Sequence, residues 1–237
     1  MKIFIDPGHN YSGADTGAAG NGLREQDVSY FVGSYLTKYL SDAGFLVKCS
    51  RNKLADNVAA TFNRSINYRY MQANEFKADY FISLHCDASA DKNAKGAHVC
   101  VYSKNSTAER LASAVIKKLI PLGLDGRSEK IVERKNLGVL KHTNMPAILI
   151  EMGFITNPEN ANLMRSPEMI ARAIFEGICE FMGVKTEKEY MSVNDAIALM
   201  SDRGIISDAE KWYNGTWNDA DFKWLLRKVG TYIADKM

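Results

Sequence analysis

Residues 80–87 read YFISLHCD. From Tyr80 to Leu84 the run is apolar on both alternating faces, with only the small Ser83 between, which is the pattern of a strand covered on two sides in a parallel sheet. It then breaks into polar chemistry at His85. Strand and helix signals alternate outward from it. KIFID at the N-terminus reads as a strand, and residues 25–43 as a helix with Val28, Phe31, Val32, Tyr35, Leu36, Tyr39 and Leu40 at helical spacing. Gly44 stops that helix. FLVKCSR is a second strand that delivers Arg51 into a loop, and helix signals resume from about Thr61 to Phe76. After YFISLHCD come the strand GAHVCVY, a helix over 107–120, the strand AILIEMGF behind Pro146, and a last helix from Pro167 to about Met182. This order predicts an α/β fold, an open, mostly parallel twisted sheet with helices on both faces.

Beyond Gly183 the stretch VKTEKEYM is polar and unpatterned, and it reads as a linker between one domain over 1–184 and a small helical C-terminal module over 190–237. Ser192 can cap a helix containing Val193, Ala196, Ile197 and Met200, while Phe222, Leu225, Leu226, Val229 and Ile233 mark a second. Trp212, Trp217 and Trp224 all fall in this module, where they suit either a packed core or exposed stacking surfaces.

The composition, 46% hydrophobic and 24% charged over 237 residues, is that of an ordinary globular chain. A net charge of +2 lacks the basic excess of a nucleic-acid binder. The apolar run in MKIFIDPGHN is too short for a signal-peptide core or a membrane span, so the expectation is synthesis in the cytoplasm with no membrane insertion. Cys49, Cys86, Cys100 and Cys179 form no CxxC pair and read as reduced core residues, with Cys86 notable for its neighbours. Nothing in the sequence specifies an oligomeric state.

Four polar groups stand where an apolar strand or a helix meets a loop: His9, Glu25, His85 and Glu151. In an open parallel sheet the ligand crevice lies outside the carboxyl ends of the strands, so these groups can converge there. Two imidazoles and a carboxylate, with one position open for water, make a common catalytic zinc site. A second carboxylate must then move the proton, and Glu151, after ILI and before Gly153, suits that role. Each residue also has a plainer reading. A strand-end His is commonly a surface or satisfied core residue, and Glu25 could simply favour a helix N-terminus.

The patterns DPGHN, LRE ending at Glu25, SLHCDAS and LGVLKHTNMPAILIEMGFITN together resemble the zinc-dependent N-acetylmuramoyl-L-alanine amidases of the type-3 class, over about residues 1–182. Arg51, Arg64, Asn74, Asn157 and Pro158 fit the same order. The resemblance implies that His9, Glu25 and His85 bind one zinc ion and that Glu151 is general base and then acid. It implies cleavage of the amide between N-acetylmuramic acid and L-alanine in peptidoglycan. Asp6 and Asn10 become candidates to orient the His9 ring. Asp87 departs from the Asn carried by many relatives, and a loop-holding role is expected for it. His142 borders the expected substrate groove, and His98 reads as structural. The glycines between Gly13 and Gly22 lack a phosphate-loop pattern and suggest a flexible loop at the site mouth.

An endolysin, acting on the wall after release, is the leading expectation, with an autolysin freed by mother-cell lysis as the second. Two other readings remain open: a zinc peptidase cutting within the stem peptide, and a non-catalytic wall-binding protein.

Overall fold

The computed structural model describes residues 1–184 and 193–234. The expected linker and the Ser192 cap fall almost wholly outside the described residues. Two compact units result, Met1–Val184 and Lys185–Met237.

In the first unit, β1 (Lys2–Pro7) is followed by a short hairpin, β2 (Ala19–Gly20) and β3 (Leu23–Arg24), that leads into α1 (Glu25–Asp42). Then come β4 (Leu46–Cys49), α2 (Phe62–Phe76), β5 (Tyr80–Asp87), β6 (His98–Val101) and α3 (Thr107–Leu119). The chain continues through β7 (Ile131–Glu133), α4 (Gly138–Lys141), β8 (Ala147–Phe154), α5 (Pro158–Met164) and α6 (Pro167–Met182). Six strands form one sheet in the order β4-β1-β5-β8-β6-β7. All neighbouring pairs are parallel except β6 on β8. The mostly parallel sheet is therefore as the sequence predicts. The hairpin, β7, α4 and α5 are too short to give a periodic signal and were not anticipated.

The helix ends follow local chemistry. Thr61 accepts the Arg64 amide at the start of α2, and Ser106 accepts the Glu109 amide at the start of α3. Pro167 opens α6, and Gly183, at φ 65°, closes it in the left-handed conformation that glycine adopts without strain.

Side chains alternate across a strand, so the sheet sorts its residues by parity. Ile3, Ile5, Ile82, Leu84, Ile148 and Ile150 point to one face, where they pack with α1, α3 and α6 in the larger core. Phe4, Phe81, Cys100 and Leu149 point to the other, where a smaller core meets Ala73 of α2 and Val139 and Leu140 of α4. Beyond Phe81 and Leu149 on that second face the next residues of the same parity are Ser83, His85 and Glu151. The apolar cover ends there and polar chemistry begins.

One charged residue also belongs to this second face. Asp6 is fully buried, and its carboxylate accepts hydrogen bonds from Ser50 Oγ at 2.6 Å, Ser83 Oγ at 2.8 Å and Arg69 Nη1 at 2.7 Å. Burial alone would raise its pKa, but the Arg69 guanidinium and the hydroxyls hold it below the usual carboxylate range.

In the second unit, α7 (Val193–Asp202), α8 (Ala209–Tyr213) and α9 (Asp219–Ala234) surround a small core of Ile197, Ile205 and Ile206, with Trp212, Leu225 and Val229 packed on it. Trp212 stacks on Trp217 at 5.9 Å between centroids, and Trp217 lies 6.0 Å from Phe222. Trp217 is 45% and Trp224 41% exposed. Trp212 thus packs on the small core, whereas Trp217 and Trp224 are partly exposed.

Removing Arg69 would leave the Asp6 carboxylate buried without its cation. Arg69→Met is expected to lose about 3–5 kcal/mol of unfolding free energy in urea. Breaking the partly exposed Arg24–Asp27 pair by Arg24→Ala should cost at most about 1 kcal/mol. Equal stability of Arg69→Met and the parent chain would refute the assigned role of the buried pair.

Candidate active site

His9 leaves β1 two residues after its end, at φ 66°, a left-handed conformation uncommon for a residue with a side chain. Arg51 secures this turn. Its buried guanidinium donates to the carbonyls of Gly8, His9 and Gln26 at 3.0–3.2 Å and to that of Leu54 at 2.7 Å. His85 reaches the same point from β5, and Glu25 from the first turn of α1.

Three ligand atoms meet. His9 Nε2 lies 3.0 Å from Glu25 Oε1, His85 Nδ1 lies 2.9 Å from the same oxygen, and the two ring nitrogens are 3.1 Å apart. Among the described residues this is the group of His, Cys, Asp and Glu side chains arranged to hold a metal ion. The convergence expected of strand-end residues is therefore present.

Backbone amides fix the carboxylate. Ala18 N–H donates to Glu25 Oε2 at 2.8 Å and Cys86 N–H donates to Oε1 at 3.0 Å. Cys86 thus takes part through its amide, while burial holds its thiol protonated by raising its pKa well above the usual value. All four cysteines are free. Two glycines make room for the ligands. A Cβ on Gly8 would sit 2.4–2.8 Å from His85 ring atoms, and one on Gly17 would sit 2.6 Å from Glu25 Oε2. Within the glycine-containing loop, Gly17 packs on Glu25 while a Cβ on Gly13 would meet open space. The loop's short hairpin turns the Ala18 amide onto the ligand.

The residue that orients His9 also differs from expectation. His9 Nδ1 lies 3.1 Å from Asp15 Oδ1, whereas Asp6 is committed to Arg69 and the two serines. Asn10 instead braces the 58–59 loop, accepting from Val58 N–H and donating to the Ala59 carbonyl. Asp15 is held in turn by the Ser65 hydroxyl and lies 3.7 Å from Arg69 Nη2. Sequence reading missed Asp15 because a loop has no period. Arg69 did carry a signal, since it shares a buried helical stripe with Ser65 and Ala73.

The charges are strongly coupled. Burial disfavours a charged His9, but hydrogen bonds to Asp15 and Glu25 overcome it and raise the imidazole to about 9. Burial would raise Glu25, yet His85 and His9 pull it far below the carboxylate range. A metal cation at the three ligand atoms would take the place of the proton that His9 otherwise keeps.

Glu151 stands beside the ligands, because β5 and β8 pair His85 with Glu151 in register. Its Oε2 is sealed from solvent without a hydrogen-bond partner. Burial, followed by the negative charge of Glu25, raises its pKa to about 8, against the pull of His9, Arg127 and Arg134. The site thus holds two carboxyl groups driven in opposite directions, the pattern that separates a permanent anion from a proton carrier.

Other expectations resolve as follows. His98 lies opposite Glu151 in the antiparallel β6–β8 register, so the residue read as structural borders the site. Burial, with help from Arg134, lowers it to about 4 and keeps it neutral. Asp87 holds loops, accepting from the Ala88 amide and pairing with Arg127. His142 packs 5.2 Å from the Tyr70 ring, and the Asn74 side chain ties together the His142 carbonyl and the Asn144 amide. Asn157 caps α5 ahead of Pro158.

Residues 3–180 match the N-acetylmuramoyl-L-alanine amidase family of the type-3 class. The chain is 30% identical over 196 residues to a germination-specific N-acetylmuramoyl-L-alanine amidase of Bacillus subtilis, covering 78% of this chain and 80% of that protein. It is 31% identical over 244 residues to an endolysin of Bacillus phage SPP1, covering 96% of this chain and 84% of the endolysin. Among solved structures, an N-acetylmuramoyl-L-alanine amidase from Clostridium difficile 630 superposes with TM-score 0.66 at 29% identity, over 78% of this chain and 98% of that one. The family match spans most of the chain, and the sheet with its strand-end site agrees with it: this protein belongs to the N-acetylmuramoyl-L-alanine amidase family.

Proposed function

We propose that the amide between N-acetylmuramic acid and L-alanine is hydrolysed here with one zinc ion held by His9, Glu25 and His85, and with Glu151 as general base and then general acid. The observation that carries this reading is the meeting of three ligand atoms within 3.1 Å of one another, with Glu151 in register beside one of them. The donor set of two imidazole nitrogens and one carboxylate oxygen suits zinc. Ligand atoms around a tetrahedral zinc at about 2.0–2.1 Å lie about 3.3 Å apart, close to the spacing seen.

A zinc ion bound there lowers the pKa of water from about 15.7 towards about 7 and polarises the scissile carbonyl. The protein residues do the rest. Asp15 fixes the His9 ring so that Nε2 faces the centre, and the amides of Ala18 and Cys86 hold the Glu25 carboxylate in position. Glu151, buried beside His85 with no partner on Oε2, is the carboxyl placed to exchange a proton there. It takes the proton from the attacking water and returns it to the alanine nitrogen, which leaves readily only as a protonated amine.

The endolysin reading is supported by the match to the phage protein, which continues through 96% of this chain and so into the second unit. The partly exposed Trp217 and Trp224 suit that unit to contact the wall. Among the described residues no helix is long and apolar enough to cross a membrane.

Glu151→Gln is expected to keep about one zinc per chain in elemental analysis yet lose about 10²–10⁴-fold in release of L-alanine amino termini from purified walls. His85→Ala should lose both metal and activity, and full turnover in metal-stripped parent protein would exclude the zinc role. A second expectation concerns pH. In metal-free protein the folded state favours neutral Glu151, so its contribution to stability is complete below about pH 4.5 and is lost as pH rises through about 8. The difference in urea midpoint between the parent and Glu151→Gln should therefore shift in favour of the variant across that window, and a constant difference would contradict the raised pKa. Finally, Trp217→Ala with Trp224→Ala in the full chain should lower co-sedimentation with cell walls at least about threefold, the loss of one or two aromatic contacts. Unchanged sedimentation would remove the wall-contact role from these two rings.

A further inference from the structure

Arg127 is a charged residue near the site that the proton-transfer scheme leaves unused. It lies in the loop between α3 and β7, and several contacts fix its place. A Cβ on Gly96 would fall 2.8 Å from the Gly126 amide nitrogen and 2.9 Å from that of Arg127, so the two backbones touch there. Asn160 Oδ1 accepts both the Gly96 and Phe154 amides, at 2.9 and 3.1 Å, and anchors the 96 segment to the end of β8. The guanidinium donates through Nη2 to Asp87 and lies 4.6 Å from the centre of the Phe154 ring. Asp87 and Phe154 are themselves partners in register, the next recorded pair after His85 and Glu151.

This support holds a cation that is not buried away. The Arg127 side chain is 31% exposed, and its loop, Asp125–Ser128, lines an open hollow. A guanidinium carries five donor hydrogens in a planar fork, of which a single carboxylate takes at most two. Asp87 takes Nη2 and Nε is sealed from solvent, so a second carboxylate would meet the remaining Nη donors.

Placement and charge select the ligand. Asp87 and Phe154 follow His85 and Glu151 along β5 and β8, across a register shift, so the cation they hold lies further along the same strand ends as the reacting centre. A stem peptide offers such a cation an anion on the leaving-amine side, the free α-carboxylate of the residue after the L-alanine. We propose that Arg127 is a specificity-determining residue that binds this carboxylate on the leaving-amine side, oriented by Asp87 and the Phe154 ring. The inference rests on the amide-hydrolase reading of the site. It also gives Asp87 a purpose: an ion pair restrains the guanidinium more firmly than a neutral amide would.

The test uses two muramoyl peptides that differ only in whether the α-carboxylate of the second stem residue is free or amidated. Steady-state kinetics are measured for the full-length parent, Arg127→Gln and Arg127→Lys, each checked for zinc content. The parent should favour the free carboxylate about 10–100-fold in kcat/KM, mainly through KM, as for one charge-assisted hydrogen-bonded contact. Arg127→Gln should bring that ratio to about 1, and Arg127→Lys should recover part of the preference. A merely structural arginine would lower both substrates together and leave the ratio unchanged, which would overturn the proposal. Absence of any preference in the parent would do the same. A parent that cleaves neither peptide but releases different amino termini from walls would overturn the assigned bond, and the terminus released identifies that failure separately.

Discussion

The buried pair between Asp6 and Arg69 is the constraint on which the rest of the site depends. An ionised carboxylate with no exposure is tolerated only because a guanidinium and two hydroxyls meet it at 2.6–2.8 Å. The same guanidinium also donates to the Pro7 carbonyl at 2.7 Å and stands 3.7 Å from Asp15, which touches His9. A chain of polar contacts thus runs from the sheet core through α2 to the first ligand. Arg51 does the parallel work on the backbone, gripping the carbonyls on either side of the left-handed turn at His9. His9 thus stands on two arginines.

That support sets the electrostatics at the centre. Glu25 is surrounded by imidazoles and amides and stays anionic, whereas Glu151, on an adjoining strand but without a donor on its Oε2, is pushed to about 8. Identical functional groups acquire different properties from their surroundings. Burial penalises charge on both carboxyls, and the presence or absence of compensating hydrogen bonds decides which one yields. The separation also requires that the second sheet face lose its apolar cover beyond Phe81 and Leu149. The larger core lies on the opposite face.

Much of this was legible in the sequence. Alternating strand and helix patterns specified the α/β sheet because burial imposes a period on the chain, two along a strand and 3.6 along a helix. His9, Glu25, His85 and Glu151 were visible because each interrupts or ends such a pattern, and the ends of parallel strands converge. What only the tertiary structure decided was who serves those four. Asp15 was chosen over Asp6 and Asn10 as the partner of His9, His98 was brought opposite Glu151, and Gly17 was set against Glu25. Asp87 found Arg127, forty residues away in the chain. The physical reason is that a period reports burial, which each residue carries locally, whereas a hydrogen bond or ion pair depends on where two distant segments cross. Gly8 and Gly17 show the same limit: the space that makes them necessary exists only once His85 and Glu25 have arrived.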